Sequence, residues 1–309
     1  MITIPCLICQ SGDTAHFLDA RDHTTGQVFE LRRCAQCGFV FTWPQPANLN
    51  DYYPAYYRRY HPLVLRFLKL MQERKTLGSA HKLGRPGCAL EIGCGEGWVL
   101  AALKKHGWQV IGLERTVDSA RFAAQELGVP MVVGGLESLN PTAQFDRIIL
   151  HQVLEHLPQP MQTLQACVRL LRPGGQMIIE VPNLGSWQFR YAQRHWVHLD
   201  VPRHLGHFTP DSIRQALARA GLEVEGYSFV SLEYDPFGWV QAVLNQLGFP
   251  QNLLLRWLAG GWRDSLFTGK GLAMAVVAAV LAPPSLLLSI ISWFAKAGAI
   301  MEVRAVRPA

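Results

Sequence analysis

The fold class of this chain of 309 residues is indicated by the stretch Cys88-Ala-Leu-Glu-Ile-Gly-Cys-Gly-Glu-Gly97. Its first half is a short apolar run that predicts a buried strand, and residues 98–106 have the apolar spacing of a helix. Glycines at a strand-to-helix turn let the backbone approach a ligand closely, with the helix N-terminus behind them. The pattern therefore predicts an α/β domain whose ligand loop contains Gly93, Gly95 and Gly97.

The spacing of these glycines differs from the dinucleotide-binding fingerprint, because the third glycine comes one position early. An acid, Glu91, precedes the loop, and the next predicted strand, residues 108–113, ends in Glu114. This arrangement resembles motif I of the class I S-adenosylmethionine-dependent methyltransferases. The resemblance implies S-adenosylmethionine as the cofactor, with Glu114 on the ribose hydroxyls. It implies cofactor contacts from Glu91, Gly93, Cys94, Gly95, Gly97, Glu114 and Gln152.

The resemblance covers residues 85–309 and implies a doubly wound α/β fold with a seven-stranded sheet, whose last two strands form an antiparallel pair. The remaining strands are expected at residues 131–133, 145–150, 176–181, 222–230 and 300–306. Relatives usually place an acid after strand three to hold the adenine amino group, but this chain has Gly134-Gly-Leu-Glu137 there. Backbone groups or Glu137 are the alternatives for that contact.

Strand four continues into His151-Gln-Val-Leu-Glu-His156. The segment resembles the corresponding stretch of ubiquinone-type O-methyltransferases, where acidic and histidine side chains flank the substrate. Gln152 departs from the carboxylate of those enzymes, which puts their divalent metal site in doubt here. Methyl transfer from a sulfonium requires an aligned acceptor and removal of a proton, and imidazole suits that task. His151 is the first candidate for the base or for a pocket wall, and His156 is either catalytic or a packing histidine.

A second concentration of histidines lies at residues 194–208, in the segment that often covers the acceptor site in this fold. His195 and His198 are further catalytic candidates within a polar lid. A metal is disfavoured there because no cysteine or tight acidic cluster accompanies the histidines. Arg203 either binds a substrate phosphate or pairs with Asp200.

Two C-x-x-C pairs stand near the N-terminus, formed by Cys6, Cys9, Cys34 and Cys37. Two such loops complete a tetrahedral site, so residues 1–45 are predicted to form a zinc ribbon with a hairpin between its knuckles. Four protein ligands leave no open position, which makes the zinc structural, and so small a segment needs the metal to fold. A redox dithiol is the alternative, but it would need only one pair.

The chain has 49% apolar and 17% charged residues and a net charge of +6. That charge fits an anionic lipid, a phosphorylated substrate or an ordinary basic surface. The N-terminus does not resemble a secretory signal, and paired cysteines of the metal-binding type fit a reducing cytoplasm. Residues 46–84 form a connector with a tyrosine cluster and a helical pattern over 63–77. Packing between domains, a pocket wall and a membrane surface are its alternatives.

Residues 236–296 form an apolar helical insert before the last strand, and residues 272–295 carry no charge. Such a run is long enough to span a membrane. However, Pro283-Pro284 should break the helix, and a single crossing would separate the last two strands. We therefore expect a re-entrant or interfacial hairpin that turns at the prolines, with a buried hairpin or a dimer contact as the alternative. Cations outnumber acids beside it: Arg256, Arg263, Lys270 and Lys296 against Asp264.

These patterns predict a methyltransferase at the cytoplasmic face of a membrane, acting on an oxygen of a lipid or lipid-linked glycan. Sugar-nucleotide methylation is the next hypothesis, because zinc-ribbon sugar C-methyltransferases look similar to this chain at the N-terminus. The extra C-terminal domain of those enzymes, which has no counterpart in this sequence, counts against it. RNA methylation is the third hypothesis, because some ribosomal RNA methyltransferases also start with a zinc module. Nucleic acid is disfavoured as a partner because no lysine-rich stripe or basic-aromatic interleaving is present. A non-catalytic membrane scaffold would bind S-adenosylmethionine weakly.

Overall fold

The computed structural model describes residues 4–53, 62–80, 86–140, 142–258 and 269–309. The strands are β1 (Thr14–Arg21), β2 (Val28–Cys34), β3 (Val40–Trp43), β4 (Cys88–Ile92), β5 (Gln109–Glu114), β6 (Met131–Val133), β7 (Phe145–His151), β8 (Leu171–Pro182), β9 (Gly206–His207), β10 (Glu223–Ser228) and β11 (Ile300–Val306). The helices are α1 (Pro62–Ala80), α2 (Trp98–Lys105), α3 (Val117–Glu126), α4 (Pro160–Leu170), α5 (Trp187–Ala192), α6 (Pro210–Ala220), α7 (Asp235–Gln246), α8 (Leu253–Arg256) and α9 (Gly269–Phe294).

The chain divides into two compact units, and each is assembled from three separate stretches of chain. The first, named the ribbon unit here, comprises Met1–Phe67, Pro182–Ile213 and Ser228–Met301. The second, named the sheet unit, comprises Leu68–Val181, Arg214–Tyr227 and Glu302–Ala309. The zinc-ribbon segment therefore shares one unit with the segment after β8 and with the apolar insert.

The seven-stranded sheet has the order β10-β11-β8-β7-β4-β5-β6. Strands β4 to β8 pair in parallel, with β5 and β6 on one side of β4 and β7 and β8 on the other. The strand order thus reverses at β4, which is the position where doubly wound sheets bind ligands beyond their carboxyl ends. The predicted class I methyltransferase fold is confirmed, and the last strand, β11, lies between β10 and β8 as that fold requires.

One apolar core holds the sheet unit together around the ligand loop. Its buried residues come from α2, α3 and the central strands: Ala89, Val99, Leu100, Leu103, Trp108, Val110, Ala123, Val129, Ile149 and Ile178. Helix α2 begins directly after Gly97, so packing of this helix on the sheet fixes where the loop ends. The loop is therefore held by elements on both sides.

A four-stranded antiparallel sheet, in the order β1-β2-β3-β9, forms the centre of the ribbon unit. The turn between β1 and β2 is built by Asp22, whose carboxylate accepts hydrogen bonds from the amides of Thr24 and Thr25. The predicted hairpin is confirmed by the pairing of β1 with β2. Strand β9 is an addition from the segment after β8, and its His207 lies opposite Val40.

Arg203 joins the ribbon to the segment after β8. Its guanidinium lies 2.8 Å from Asp22 Oδ1 and 2.7 Å from Asp200 Oδ1, and it also donates to the carbonyl oxygen of Tyr52. The side chain is completely buried. Of the two roles considered for Arg203, the structure therefore shows the pairing with Asp200, within a cluster that includes a second carboxylate.

The apolar insert differs from the expected hairpin in where its chain reverses. Helix α9 continues through Pro283-Pro284 instead of turning there. Each proline removes one N–H from the helix, but its fixed φ is close to the helical value, so the loss does not force a reversal. The helix pairs with α7 instead, because Trp293 donates to the Asp235 carboxylate while Met274 packs near the other end of α7.

The chain therefore reverses between α7 and α9 and not at the prolines. Arg263 and Asp264 of the predicted charge pattern lie outside the described residues, as do Tyr56, Tyr57 and Tyr60 of the tyrosine cluster. Of that cluster, Tyr52 packs edge-on against Phe29 in the ribbon unit. The helix expected over 63–77 is present as α1.

Candidate active site

Two glycines of the ligand loop, Gly93 and Gly95, differ in the space available for a side chain. Gly93 and Gly95 both have positive φ, 66° and 54°. A Cβ on Gly93 would lie 2.7 Å from Val153 Cγ2, whereas a Cβ on Gly95 would meet no atom within 4 Å. Gly93 is thus required by packing, and Gly95 faces open space. That open space in front of the loop fits a ligand that approaches the backbone closely.

The Glu114 carboxylate is fixed at the end of β5 by two backbone amides. Its Oε2 accepts from the Gly95 amide at 2.9 Å, and its Oε1 accepts from the Thr116 amide at 2.8 Å. A carboxylate has about four acceptor sites, so Glu114 keeps capacity for further donors such as ribose hydroxyls. The predicted cofactor acid therefore lies against the predicted cofactor loop.

Glu91 and His151 lie side by side on β4 and β7. The Oε1 of Glu91 is 3.3 Å from the Nδ1 of His151, and their side chains are 4% and 11% exposed. Burial raises the pKa of Glu91, while the neighbouring imidazole acts in the opposite direction. The sequence placed Glu91 with the cofactor and His151 with catalysis, and the structure brings the two together.

Gln152 connects the end of β7 to β8. Its backbone has a positive φ of 52°, its amide donates to the carbonyl of Glu180, and its Nε2 donates to Glu180 Oε1 at 3.2 Å. Sequence reasoning missed Glu180 as a site residue. An acid between the apolar residues Ile179 and Val181 of the strand predicted over 176–181 was the available signal.

Three other predicted or alternative residues of the sheet unit, Cys94, His156 and Glu137, each have their own local contacts. Cys94 points toward β6, where its Sγ lies 4.0 Å from Met131 Sδ, and burial raises the pKa of its thiol. His156 ends a short 3-10 helix that contains the buried Glu155. Glu137 is exposed and accepts from the Gly135 amide at 3.1 Å.

His195 and His198 belong to the ribbon unit. The carbonyl of His195 accepts from Asn245 Nδ2 at 2.8 Å, and burial together with Arg194 lowers the pKa of His195. Burial also lowers the pKa of His198, to about 3, and its ring packs edge-on against Trp196. His198 is therefore neutral near pH 7 and is a weak base there.

The four cysteines of the ribbon fit a zinc ion. Their Sγ atoms all lie within 4.8 Å of one another, with the Cys6–Cys37 and Cys9–Cys34 pairs at 3.5 Å. Tetrahedral zinc with bonds of about 2.3 Å separates its sulfurs by about 3.8 Å, which is close to this arrangement. Burial raises the pKa of Cys6 to about 11, so a bound cation is needed to keep that group a thiolate. All four positions would be filled, and the zinc would supply folding stability to the ribbon.

A family model described as a methyltransferase domain matches residues 57–226, more than half of the chain. The chain belongs to this methyltransferase family. The matched residues include the glycine loop, Glu114 and the Glu91–His151 pair. Together with the strand order, the match identifies the chain as a class I S-adenosylmethionine-dependent methyltransferase, as the motifs predicted.

Curated relatives are O-methyltransferases of ubiquinone biosynthesis. The enzyme from Coxiella burnetii is 34% identical over 131 residues, which cover 40% of this chain and 53% of that enzyme. The enzyme from Cereibacter sphaeroides is 29% identical over 168 residues, which cover 48% of this chain and 65% of that enzyme. The chain thus spans between about half and two thirds of the length of these relatives.

A solved structure with a similar fold is the crystal structure of the [4+2]-cyclase SpnF. It is 18% identical, with a TM-score of 0.51, and the match covers 77% of this chain and 81% of that one. At this identity the likeness concerns the fold alone. A cyclase on the same fold illustrates that chemistry is decided by the site and not by the sheet.

Proposed function

We propose that this protein transfers the methyl group of S-adenosylmethionine to an oxygen of a lipid or lipid-linked glycan, at the cytoplasmic face of a membrane. The proposal rests on the surface of α9, which is the reverse of that of a surface helix in a soluble protein. Its large apolar side chains are exposed, and three of its serines are buried. The insert would hold the enzyme next to an acceptor that does not leave the bilayer.

The outward face of α9 is a continuous apolar surface. Among the described residues, its exposed large apolar side chains are Leu272, Val276, Val280, Leu286, Leu287, Leu288, Ile290, Ile291 and Phe294. Only 17% of the residues in its most apolar stretch are buried. Monomeric soluble proteins rarely expose contiguous apolar surfaces of this kind, which are typical of membrane or protein interaction sites.

The inward face of α9 is small and polar in its second half, after the prolines, whereas Met274 packs in an apolar core in its first half. Ser285, Ser289 and Ser292 are buried, and the Oγ atoms of Ser289 and Ser292 donate to carbonyls of their own helix. Helices packed within a bilayer use small residues at their contacts, because lipid leaves no hydrophobic reason to bury larger ones. Serines inside and leucines outside therefore favour lipid as the surroundings of α9.

Charge and topology limit how α9 meets the bilayer. No charged residue lies between Lys270 and Lys296, and these two cations suit an anionic surface. Strand β10 precedes the insert and β11 follows it, and the two are neighbours in the sheet. The chain that leaves the sheet for a membrane must therefore return to the same side of that membrane. These facts support an interfacial or re-entrant position rather than a single crossing.

The chemistry of the site fits transfer to a neutral acceptor. The cofactor supplies an electrophilic methyl group on a sulfonium. Gly95 and Glu114 would bind it through the open loop and the fixed carboxylate, and His151 would receive the acceptor proton. Relatives named as O-methyltransferases of ubiquinone biosynthesis support oxygen as the acceptor atom and a lipid as its carrier.

The test is transfer of a labelled methyl group from S-adenosylmethionine into a whole cell extract by the purified full chain, with the products partitioned between organic and aqueous phases. We expect label in the organic phase. A variant with Leu287→Lys and Ile291→Lys should lose cosedimentation with vesicles containing anionic lipid, because it places two charges on the exposed face of α9. It should also lose most of the organic-phase label.

The matched control carries Val28→Lys and Val117→Lys, two exposed valines outside the insert. It should retain both vesicle binding and methyl transfer. Label found only in the aqueous phase would contradict the lipid acceptor and would favour a sugar nucleotide or RNA. Vesicle binding that survives the charged α9 variant would contradict the membrane role of the insert.

A further inference from the structure

We infer that Glu91 positions His151 as the general base of methyl transfer, so that the two residues act as a carboxylate–imidazole pair. The inference rests on the proposed function and adds to it a proton path. It gives Glu91 a role in orienting the imidazole in addition to its expected place beside the cofactor.

The pair is fixed by the sheet. Glu91 on β4 lies directly opposite Ile149 on β7, and His151 lies two residues further along β7. Alternate residues of a strand share a face, so the two side chains project from the same face of two neighbouring strands. Their contact at 3.3 Å follows from this register and does not depend on a flexible loop.

The surroundings make His151 the neutralising partner of Glu91. The Oε2 of Glu91 is buried and has no hydrogen-bond partner among the described residues. The other ionisable groups near this carboxyl are Glu114 on β5 and the Cys94 thiol, neither of which is a cation. Glu180 lies beside His151 on β8. A buried carboxylate is costly without an opposite charge, so Glu91 stabilises the positive charge that His151 acquires when it takes the acceptor proton.

The geometry also selects the tautomer of the imidazole. With a carboxylate oxygen next to Nδ1, that nitrogen carries the proton and donates it, while Nε2 keeps its lone pair. The Nδ1 of His151 has no hydrogen-bond partner among the described residues, and Glu91 Oε1 lies 3.3 Å from it without the alignment of a hydrogen bond. Contacts of catalytic pairs are often long or poorly aligned before substrate binds, and they tighten in the complex. The free lone pair on Nε2 is the base.

His151 Nε2 takes the proton of the acceptor hydroxyl while the oxygen lone pair forms the bond to the methyl carbon. The sulfur–carbon bond breaks and its electron pair passes to sulfur. One positive charge leaves the sulfonium and one appears on the imidazole beside Glu91. The site therefore keeps its net charge, and no additional ion has to be buried.

The first experiment needs no acceptor. Nitrogen-15 spectra of histidine-labelled full chain report the tautomer of His151, whose signals are identified by their loss in His151→Gln. We expect protonated Nδ1 and bare Nε2 in the native protein, and a shift toward protonated Nε2 in Glu91→Leu. Protonated Nε2 in the native protein would overturn the inference, whatever the acceptor proves to be.

The second experiment uses the methyl-transfer assay at saturating S-adenosylmethionine. His151→Gln should lower kcat about 100-fold or more, as expected for loss of a general base, with cofactor Kd within about threefold of native. Glu91→Asp should recover part of the activity that Glu91→Leu loses, and it should restore the native tautomer. An unchanged kcat in His151→Gln would also overturn the inference.

These readouts separate the two proposals. If native protein transfers no methyl group to the organic phase but shows the expected tautomer, the acceptor proposal fails and the positioning of His151 by Glu91 stands. If native protein is active and His151→Gln is equally active, the acceptor proposal stands and the proton path fails.

Discussion

Two glycines of the ligand loop have different physical reasons to be glycine. Gly93 lacks room for a Cβ because Val153 occupies that space, whereas Gly95 has room but an unusual backbone conformation. Both have positive φ, which costs a residue with a side chain about 1 kcal/mol. Substitutions at the two positions should therefore have separable consequences.

Gly95→Ala should leave the fold nearly intact and weaken cofactor binding about 10-fold or more, because its methyl group would occupy the space in front of the loop. Calorimetric titration with S-adenosylmethionine measures the Kd, and urea unfolding measures the free energy of unfolding.

Gly93→Ala is the matched comparison. It should lower the free energy of unfolding by about 1–3 kcal/mol more than Gly95→Ala does, because its Cβ overlaps Val153. Equal losses of stability with unchanged cofactor affinity in both variants would show that the open space at Gly95 is not the cofactor site.

Among the secondary-structure elements, the segment after β8 pairs with and packs against the strands of the ribbon. Strand β9 extends the ribbon sheet, and Thr42 on β3 donates to the carbonyl of His204 and contacts Nε2 of His207. A single apolar core contains Phe29 and Leu31 of the ribbon together with Trp196. A zinc ion held by the four cysteines would therefore support the segment that carries His195 and His198 as well as the ribbon itself.

Removal of the zinc should affect that segment and spare the cofactor. We expect Cys34→Ser to lose the bound zinc, to become sensitive to proteolysis between residues 182 and 213, and to raise the KM of the acceptor. The Kd of S-adenosylmethionine should stay within about threefold of native, because the glycine loop belongs to the sheet unit with its own core.

Cys88→Ser is the control, since Cys88 lies on β4 outside the four-cysteine group. It should keep its zinc, measured by elemental analysis, and its native proteolysis pattern. Retention of zinc in Cys34→Ser, or loss of cofactor binding in step with loss of zinc, would contradict this assignment of roles.

At the scale of the whole molecule, histidines buried without charge make stability depend on pH. Burial lowers the pKa of His207 from its ordinary 6.5 to about 3, and His204 adds to the effect while Asp200 opposes it. Unfolded protein therefore binds a proton below pH 6.5 that folded protein takes up only near pH 3. The contribution to stability is complete above pH 6.5 and is lost as the pH falls toward 3.

The free energy of unfolding should therefore fall between pH 7 and pH 5, by about 2 kcal/mol for each such histidine. His207→Gln should flatten this dependence while keeping a partner for the Thr42 hydroxyl. Urea unfolding at pH 7, 6 and 5 measures both effects. An equally steep dependence in His207→Gln would show that His207 is charged or exposed in the folded state.

Features of this protein that depend on local pattern could be predicted from the amino-acid sequence. The strand-to-helix turn with its glycines, the carboxylate at the end of β5, the hairpin of the ribbon and the last strand all lie where the sequence predicted them. Apolar periodicity, turn residues and motif spacing act over a few residues, so they can be read without knowing what the segment packs against.

Contacts between segments that are distant in the chain could not be predicted from the sequence and are seen only in the folded structure. The partners of Arg203, the pairing of β9 with β3 and the contact between Glu91 and His151 each connect residues that lie far apart in the chain. The same holds for α9, which continues through its prolines and packs its serine face inward against α7. Such contacts depend on which surfaces meet when the chain folds, and no periodicity within one segment specifies its neighbour.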